Sequence, residues 1–142
     1  MRYFLDTNIC IFAMKGRYPG IKRRLSELRP YQVKIPAMVK AELLLGALKS
    51  AKPVESRAIV DRFLAPFEIS AFDDAATEVY ARIRGAVEKA GRPIGPNDVV
   101  IAATALTHDA TLVTNNSKEF SRVQGLKIED WTTERSAGLA MR

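Results

Sequence analysis

Four acids, Asp6, Glu42, Asp98 and Glu119, stand where a chain of this kind would ordinarily avoid charge or leave it idle. Asp6 ends the apolar run Tyr3-Phe4-Leu5 and opens the segment Asp-Thr-Asn. Glu42 lies inside Ala-Glu-Leu-Leu-Leu-Gly, Asp98 follows Gly-Pro-Asn at the head of a second apolar run, and Glu119 comes just after Leu-Val-Thr-Asn-Asn. Carboxylates gathered in a basic chain repel one another unless a cation joins them, so a divalent metal is the simplest account of all four. A metal held by acids points in turn to phosphoester chemistry.

Positioning such distant residues is the task of the elements between them. Residues 2–6 read as a short strand, too apolar to alternate and so buried on both faces. Helices are expected over 7–15, with Asp6 or Thr7 as the cap, and near 20–29, stopping at Pro30. Val33 and Ile35 alternate with polar neighbours in a second strand ended by Pro36, which also suits the first turn of a helix running to about Ser50. A helix over 53–65 follows, then a strand in which Phe67, Ile69 and Ala71 alternate. Asp73–Asp74 caps a helix over 74–90 that Gly91 ends. The spacing predicts a further helix over 97–108, the strand 111–114, a turn at Asn115–Asn116, a helical turn near 118–121 and a last strand over 127–131. Strands alternating with helices imply an α/β fold with a mostly parallel sheet covered on both faces. Ligands of such sheets bind beyond the carboxyl ends of the strands, where Asp6, Asp98 and the Asn115–Asn116 turn can converge.

Structural roles compete at each acid. Glu42 shares a helical stripe with Met38, Val39, Leu45 and Gly46, where an unpartnered carboxylate would cost several kcal/mol. A place at the stripe's edge beside a Lys or Arg would also account for it. Asp98 rides with Ile101, Ala102 and Ala105 and could cap its helix, a job Asn97 could take instead. A surface acid in a turn would account for Glu119. His108, the only histidine, sits near a helix end that favours a cation, and its solitude excludes a multi-histidine zinc site. Neither a Gly-x-Ser-x-Gly elbow, nor a phosphate-cradling glycine loop, nor a dinucleotide fingerprint occurs.

At 142 residues with 47 % apolar content, the chain is expected to fold as one domain around a substantial core. Its apolar runs fall short of the roughly 20 residues that span a bilayer, and Asp6 interrupts the N-terminus too early for a secretory signal. The lone Cys10 with apolar neighbours reads as a buried thiol in a reducing compartment, and the protein as cytoplasmic. The net charge of +6 is uneven: residues 1–57 hold twelve Lys/Arg against four acids, and residues 58–142 ten against twelve. Lys15, Arg17, Lys22, Arg23, Arg24 and Arg29 are therefore candidates for a phosphate-binding patch.

Four segments together resemble a known family. Phe-Leu-Asp-Thr-Asn-Ile-Cys-Ile at 4–11, Lys-Ala-Glu-Leu-Leu-Leu-Gly at 40–46, Gly-Arg-Pro-Ile-Gly-Pro-Asn-Asp at 91–98 and Leu-Val-Thr-Asn-Asn-Ser-Lys-Glu-Phe at 112–120 are similar, in that order, to PIN-domain ribonucleases of the VapC toxin type. The resemblance covers residues 1–131 and leaves 132–142 as a tail expected to fray. It implies a PIN-like α/β/α sandwich, a Mg²⁺ site that Mn²⁺ could also fill, and endoribonuclease activity. Asp6 and Asp98 match the family's metal-holding aspartates and Glu42 its acidic helix residue. Many PIN domains carry an aspartate where this chain has Asn115 and Asn116, and Glu119 resembles the acid that VapC-like members use instead. The resemblance also assigns Thr7, Thr114 and Asn115 to orienting these acids or touching phosphate. It further implies structured RNA as substrate, with a tRNA anticodon loop (initiator tRNA above all) as the leading guess, a small VapB-type antitoxin lying over the cleft, and a homodimer built on the apolar helices around 36–65.

The expected reaction is metal-assisted attack of water on a phosphodiester, leaving a 5′-phosphate and a 3′-hydroxyl. Asp6 and Asp98 would hold the metal, while Glu42 and Glu119 complete its shell or orient the water. Two other readings fit some of the residues. A Mg²⁺-dependent phosphatase of small phosphoesters could use Asp6 as nucleophile, although its usual Asp-x-Asp-x-Thr pattern needs an acid where this chain has Asn8. A non-catalytic RNA-binding module would leave the acids vestigial.

Overall fold

The apolar run before Asp6 forms β1 (Tyr3–Leu5), buried along its whole length, and Asp6 caps α1 (Thr7–Met14) that follows. The structure, a computed structural model, describes residues 1–133, and the expected tail from 134 onward lies outside the described residues. Proline and glycine punctuate the remainder of the chain. Pro19 opens α2 (Pro19–Glu27) and Pro30 opens a single 3₁₀ turn (Pro30–Gln32) that leads into β2 (Val33–Pro36). Then come α3 (Ala37–Leu48), α4 (Pro53–Leu64), β3 (Glu68–Ser70), α5 (Asp74–Lys89), α6 (Pro96–Thr107), β4 (Thr111–Val113), α7 (Ser117–Phe120) and β5 (Lys127–Glu129). Asp73 caps α5 by accepting a hydrogen bond from the Ala76 amide at 3.0 Å. Gly91 ends α5 at φ 71°, a left-handed conformation that a side chain would strain.

The five strands lie in the order β3-β2-β1-β4-β5, and every pair is parallel. The chain moves outward from β1 to β2 and β3, then returns across the sheet to β4 and β5. With right-handed crossovers this reversal covers both faces with helices, an α/β/α sandwich. The burial follows from it: β1 and β4, at the centre, are buried at every position, while the edge strands β3 and β5 are only partly so. The order reverses between β1 and β4, and the crevice beyond their carboxyl ends is where such a sheet binds its ligands.

Two local expectations are corrected. Phe67 and Ile69 pack against the core as the alternation predicts, but Ala71 lies beyond β3 and is exposed, and the most buried residue of the strand is Ser70, on its other face. Burial of Ser70 is tolerated because its hydroxyl pairs with His108 Nε2 at 3.2 Å. That contact, and a ring separation of 5.6 Å from Phe4, give His108 a structural place. Arg24, expected to face phosphate, is instead folded inward. It donates to the Tyr3 hydroxyl at 3.2 Å, pairs with Glu129 at 3.4 Å and stacks on Trp131 at 4.9 Å. Buried Trp131 thereby ties the segment after β5 to β1. Arg23 pairs with Glu27 along α2 at 3.2 Å.

Candidate active site

Asp6 is fixed from both of its carboxylate oxygens. Its backbone amide continues the β1–β4 pairing by donating to the Val113 carbonyl at 3.0 Å. Oδ1 accepts from the Thr7 amide at 2.7 Å and Oδ2 from the Thr114 hydroxyl at 2.7 Å. Thr114 is fully buried, directly after β4, and its hydroxyl oxygen also accepts from the Asn116 amide at 2.9 Å. The turn after β4 thus holds the acid after β1. Asn115 itself is exposed, and the backbone of its neighbour makes the contact.

Glu42 reaches the same crevice from α3. The Thr7 hydroxyl donates to its Oε1 at 2.6 Å and the Asn97 side-chain amide to its Oε2 at 3.3 Å. A lysine or arginine partner is therefore not what settles this half-buried acid. Asn97 was expected only as a helix cap. The cap position of α6 belongs to Gly95, with Pro96 in the first turn, which frees Asn97 to reach across to α3 and leaves Asp98 one position further into the helix. Neither side chain caps. The signal that could have singled out Asn97 is its place beside Asp98 on that first turn.

Asp98 and Glu119 complete the group. The Asp98 carboxyl is pushed up to about 7, first by burial, then by a hydrogen bond with Glu119 that requires a proton on Asp98, then by repulsion from Asp6, Glu119 and Glu42. Burial likewise raises Asp6, against the lowering effect of Thr114 and Thr7, and the charges of Glu42 and Glu119 raise it further. Four acids from α1's cap, α3, α6 and α7 thus feel one another across a single crevice. Glu119 Oε1 is buried without a hydrogen-bond partner, an arrangement that costs free energy unless a proton or a cation meets it.

That orphaned oxygen is the structural test of the expected metal, and it favours one. All candidate donors are carboxylate oxygens, the choice of a hard ion such as Mg²⁺ or Mn²⁺. Cys10 is no rival ligand, since burial pushes its thiol up, away from the thiolate. Among the described residues no three acids, histidines or cysteines stand close enough together to hold a metal ion as they are, so the fit rests on donor chemistry and on shared repulsion.

The mutual repulsion has a measurable consequence in the metal-free protein. An unfolded Asp98 loses its proton near its ordinary value of 3.8, whereas the folded one keeps it until about 7. The folded state therefore binds more protons across that window, and its stability falls as pH rises through it. Asp98 is only partly buried and solvent screens part of the repulsion, so we expect Tm in chelator to drop by about 3–6 °C between pH 5 and pH 8. Thermal melts should show this slope flattened in Asp98→Asn, and Mg²⁺ should raise Tm more at pH 8 than at pH 5.

Comparison with known proteins gives a consistent picture. The PIN domain family profile matches residues 3–126. The chain is 36 % identical over 132 residues to the tRNA(fMet)-specific endonuclease VapC of Shigella flexneri, covering 93 % of this chain and 99 % of that protein. It is 39 % identical over 132 residues to Ribonuclease VapC2 of Rickettsia felis, covering 92 % and 98 %. Among solved structures, VapBC2 from Rickettsia felis bound to a DNA fragment from its promoter superposes with a TM-score of 0.87 at 39 % identity, over 92 % of this chain and 99 % of that one. DNA-bound VapBC from Salmonella typhimurium gives the same TM-score of 0.87 at 36 % identity, over 92 % and 98 %.

Proposed function

This chain belongs to the PIN-domain family and is a ribonuclease of the VapC toxin type, and on that premise we propose that Asp6, Glu42, Asp98 and Glu119 hydrolyse RNA with a bound divalent cation. The observation that supports this most is the convergence of the four carboxylates at the β1–β4 reversal, with one buried oxygen left without a partner. Family membership also displaces the phosphatase and the non-catalytic binding module as readings of the same acids.

Asp6 and Asp98 would hold the ion, Mg²⁺ or in its place Mn²⁺. When bound, such an ion supplies Lewis-acid polarisation of the scissile phosphate and acidifies water. The chain's own residues do the rest. Thr7 and Thr114 fix both oxygens of Asp6, so its orientation needs no rearrangement as charge develops. Thr7 and Asn97 hold Glu42, which with Glu119 would orient the attacking water and accept its proton. The water oxygen bonds to phosphorus, the bond to the 3′-oxygen breaks, and that oxygen leaves as a hydroxyl by taking a proton from solvent water. The proton lost by the attacking water passes through the carboxylate to solvent. The products carry a 5′-phosphate and a 3′-hydroxyl.

The substrate we propose is structured RNA, a tRNA anticodon loop in particular, in line with the tRNA(fMet)-specific name of the Shigella flexneri relative. Action on tRNA would take place in the cytoplasm; among the described residues no helix is long and apolar enough to cross a membrane. A VapB-type antitoxin is the proposed partner. A cavity of about 360 Å³ between α1, α3 and α4 includes Ile11, Met14, Ile59 and Glu42 itself, so an apolar segment seated there would run directly to the carboxylates and could set a cationic side chain on them. Leu45, Leu48 and Val54, exposed on α3 and α4, add the surface for this and for a homodimer.

Incubating the purified chain with Mg²⁺ and total RNA, then mapping the new ends, tests the reaction. Cleaved RNA should ligate through 5′-phosphates and lose them to phosphatase. Fragments ending in a 2′,3′-cyclic phosphate would overturn the mechanism, because they require the ribose 2′-hydroxyl as nucleophile.

A further inference from the structure

A second cavity, of about 340 Å³, opens between α5, α6 and the segment after α7. Its lining combines three arginines, Arg82, Arg92 and Arg122, with an apolar floor that includes Ile83, Val87 and Leu106, and it contains no acid. Arg82 and Arg92 have no ion pair among the described residues, whereas Arg84, on the same helix, is committed to Glu88 at 2.7 Å. Arg122 is anchored: its Nη1 donates to the Pro93 carbonyl at 2.8 Å, while its Nε is buried without a hydrogen-bond partner.

The cavity is joined to the carboxylates through the chain. The Arg122 amide donates to the Glu119 carbonyl at 3.1 Å, and Pro93 lies on the loop that leads into Asp98. One arginine therefore touches both backbone segments that carry catalytic acids. We propose that this cavity is a nucleotide subsite for the RNA strand beside the scissile bond, its arginines taking phosphate and its apolar floor taking a base. The inference rests on the ribonuclease reading above. Planar guanidinium groups suit phosphate oxygens, and an unpaired base is the part of RNA that gains from leaving water.

The test measures binding of a short fluorescein-labelled single-stranded RNA to the full chain carrying Asp98→Asn, which keeps the RNA intact. Adding Arg82→Gln and Arg92→Gln should weaken binding at least about tenfold and lower the slope of log K against log salt by about 1 to 1.5, the value for two phosphate contacts on a single strand. Arg57→Gln with Arg62→Gln removes the same charge from α4 and should weaken binding less than about threefold. Replacing one flanking nucleotide by an abasic residue should also weaken binding to the Asp98→Asn chain. Equal losses in the two arginine pairs, or indifference to the abasic residue, would overturn the subsite. Failure of the unmodified chain to cleave RNA would overturn the underlying function instead, and is read in a separate assay.

Discussion

Asp98→Asn should lower kcat/KM for RNA cleavage by about 10³-fold or more, in a protein that melts no lower than the unmodified chain at pH 8. Both halves of that outcome follow from one arrangement. Asp98 is held above its ordinary range by burial and by the neighbouring carboxylates, so a neutral isostere removes repulsion from the metal-free fold. The same change removes an oxygen proposed to hold the cation. Activity lost while stability is kept or gained is the signature of a residue present for function. Asp6→Asn should abolish cleavage as well, but with a cost to the fold. Asn offers one acceptor oxygen where Asp6 accepts from both Thr7 and Thr114. A protein with Asp98→Asn that retains a tenth of the activity would remove Asp98 from the machinery.

How much of this was legible in the sequence differs from residue to residue. Asp6 could be placed because a run as apolar as Tyr3-Phe4-Leu5 makes a buried strand, and an acid at its end must face the carboxyl edge of the sheet. Helix starts at Pro19, Pro53 and Pro96 and the stop at Gly91 are local chemistry, fixed within one turn of chain. Thr114 is of another kind. Its partner Asp6 lies 108 residues away, and only the parallel register of β1 with β4 brings the two together. No periodicity carries that information; it came from likeness to a family. Asn97 and Arg24 were misjudged for the same reason. A cap and a phosphate contact are what those residue types do locally, whereas Glu42 and Trp131 reach them through the tertiary fold. Ser70 shows the limit of alternation in a sheet covered on both faces, where a polar residue opposite Ile69 is buried with a hydrogen bond to His108.

The second large effect concerns the cation itself. Unmodified protein should bind Mn²⁺ in the crevice, and Asp98→Asn should weaken that binding by about 100-fold or more, at least the loss that removing an outer hydrogen-bond partner of a metal ligand can cause. The physical ground is the mutual repulsion of Asp6, Glu42, Asp98 and Glu119 together with the orphaned Glu119 oxygen. A divalent ion neutralises both at once, whereas a proton on Asp98 neutralises only part of the charge and is given up above about pH 7. Protonation and metal binding therefore compete, and affinity should rise with pH over the window in which the metal-free protein loses stability.

The most direct measurement is anomalous scattering at the manganese edge from crystals of the full chain grown with Mn²⁺ above pH 7. A peak bounded by the carboxylates of Asp6 and Asp98, absent in Asp98→Asn crystals, is the expected result. A map without a peak there, or with manganese held by other residues, would contradict a metal-bound crevice at the reversal of the sheet.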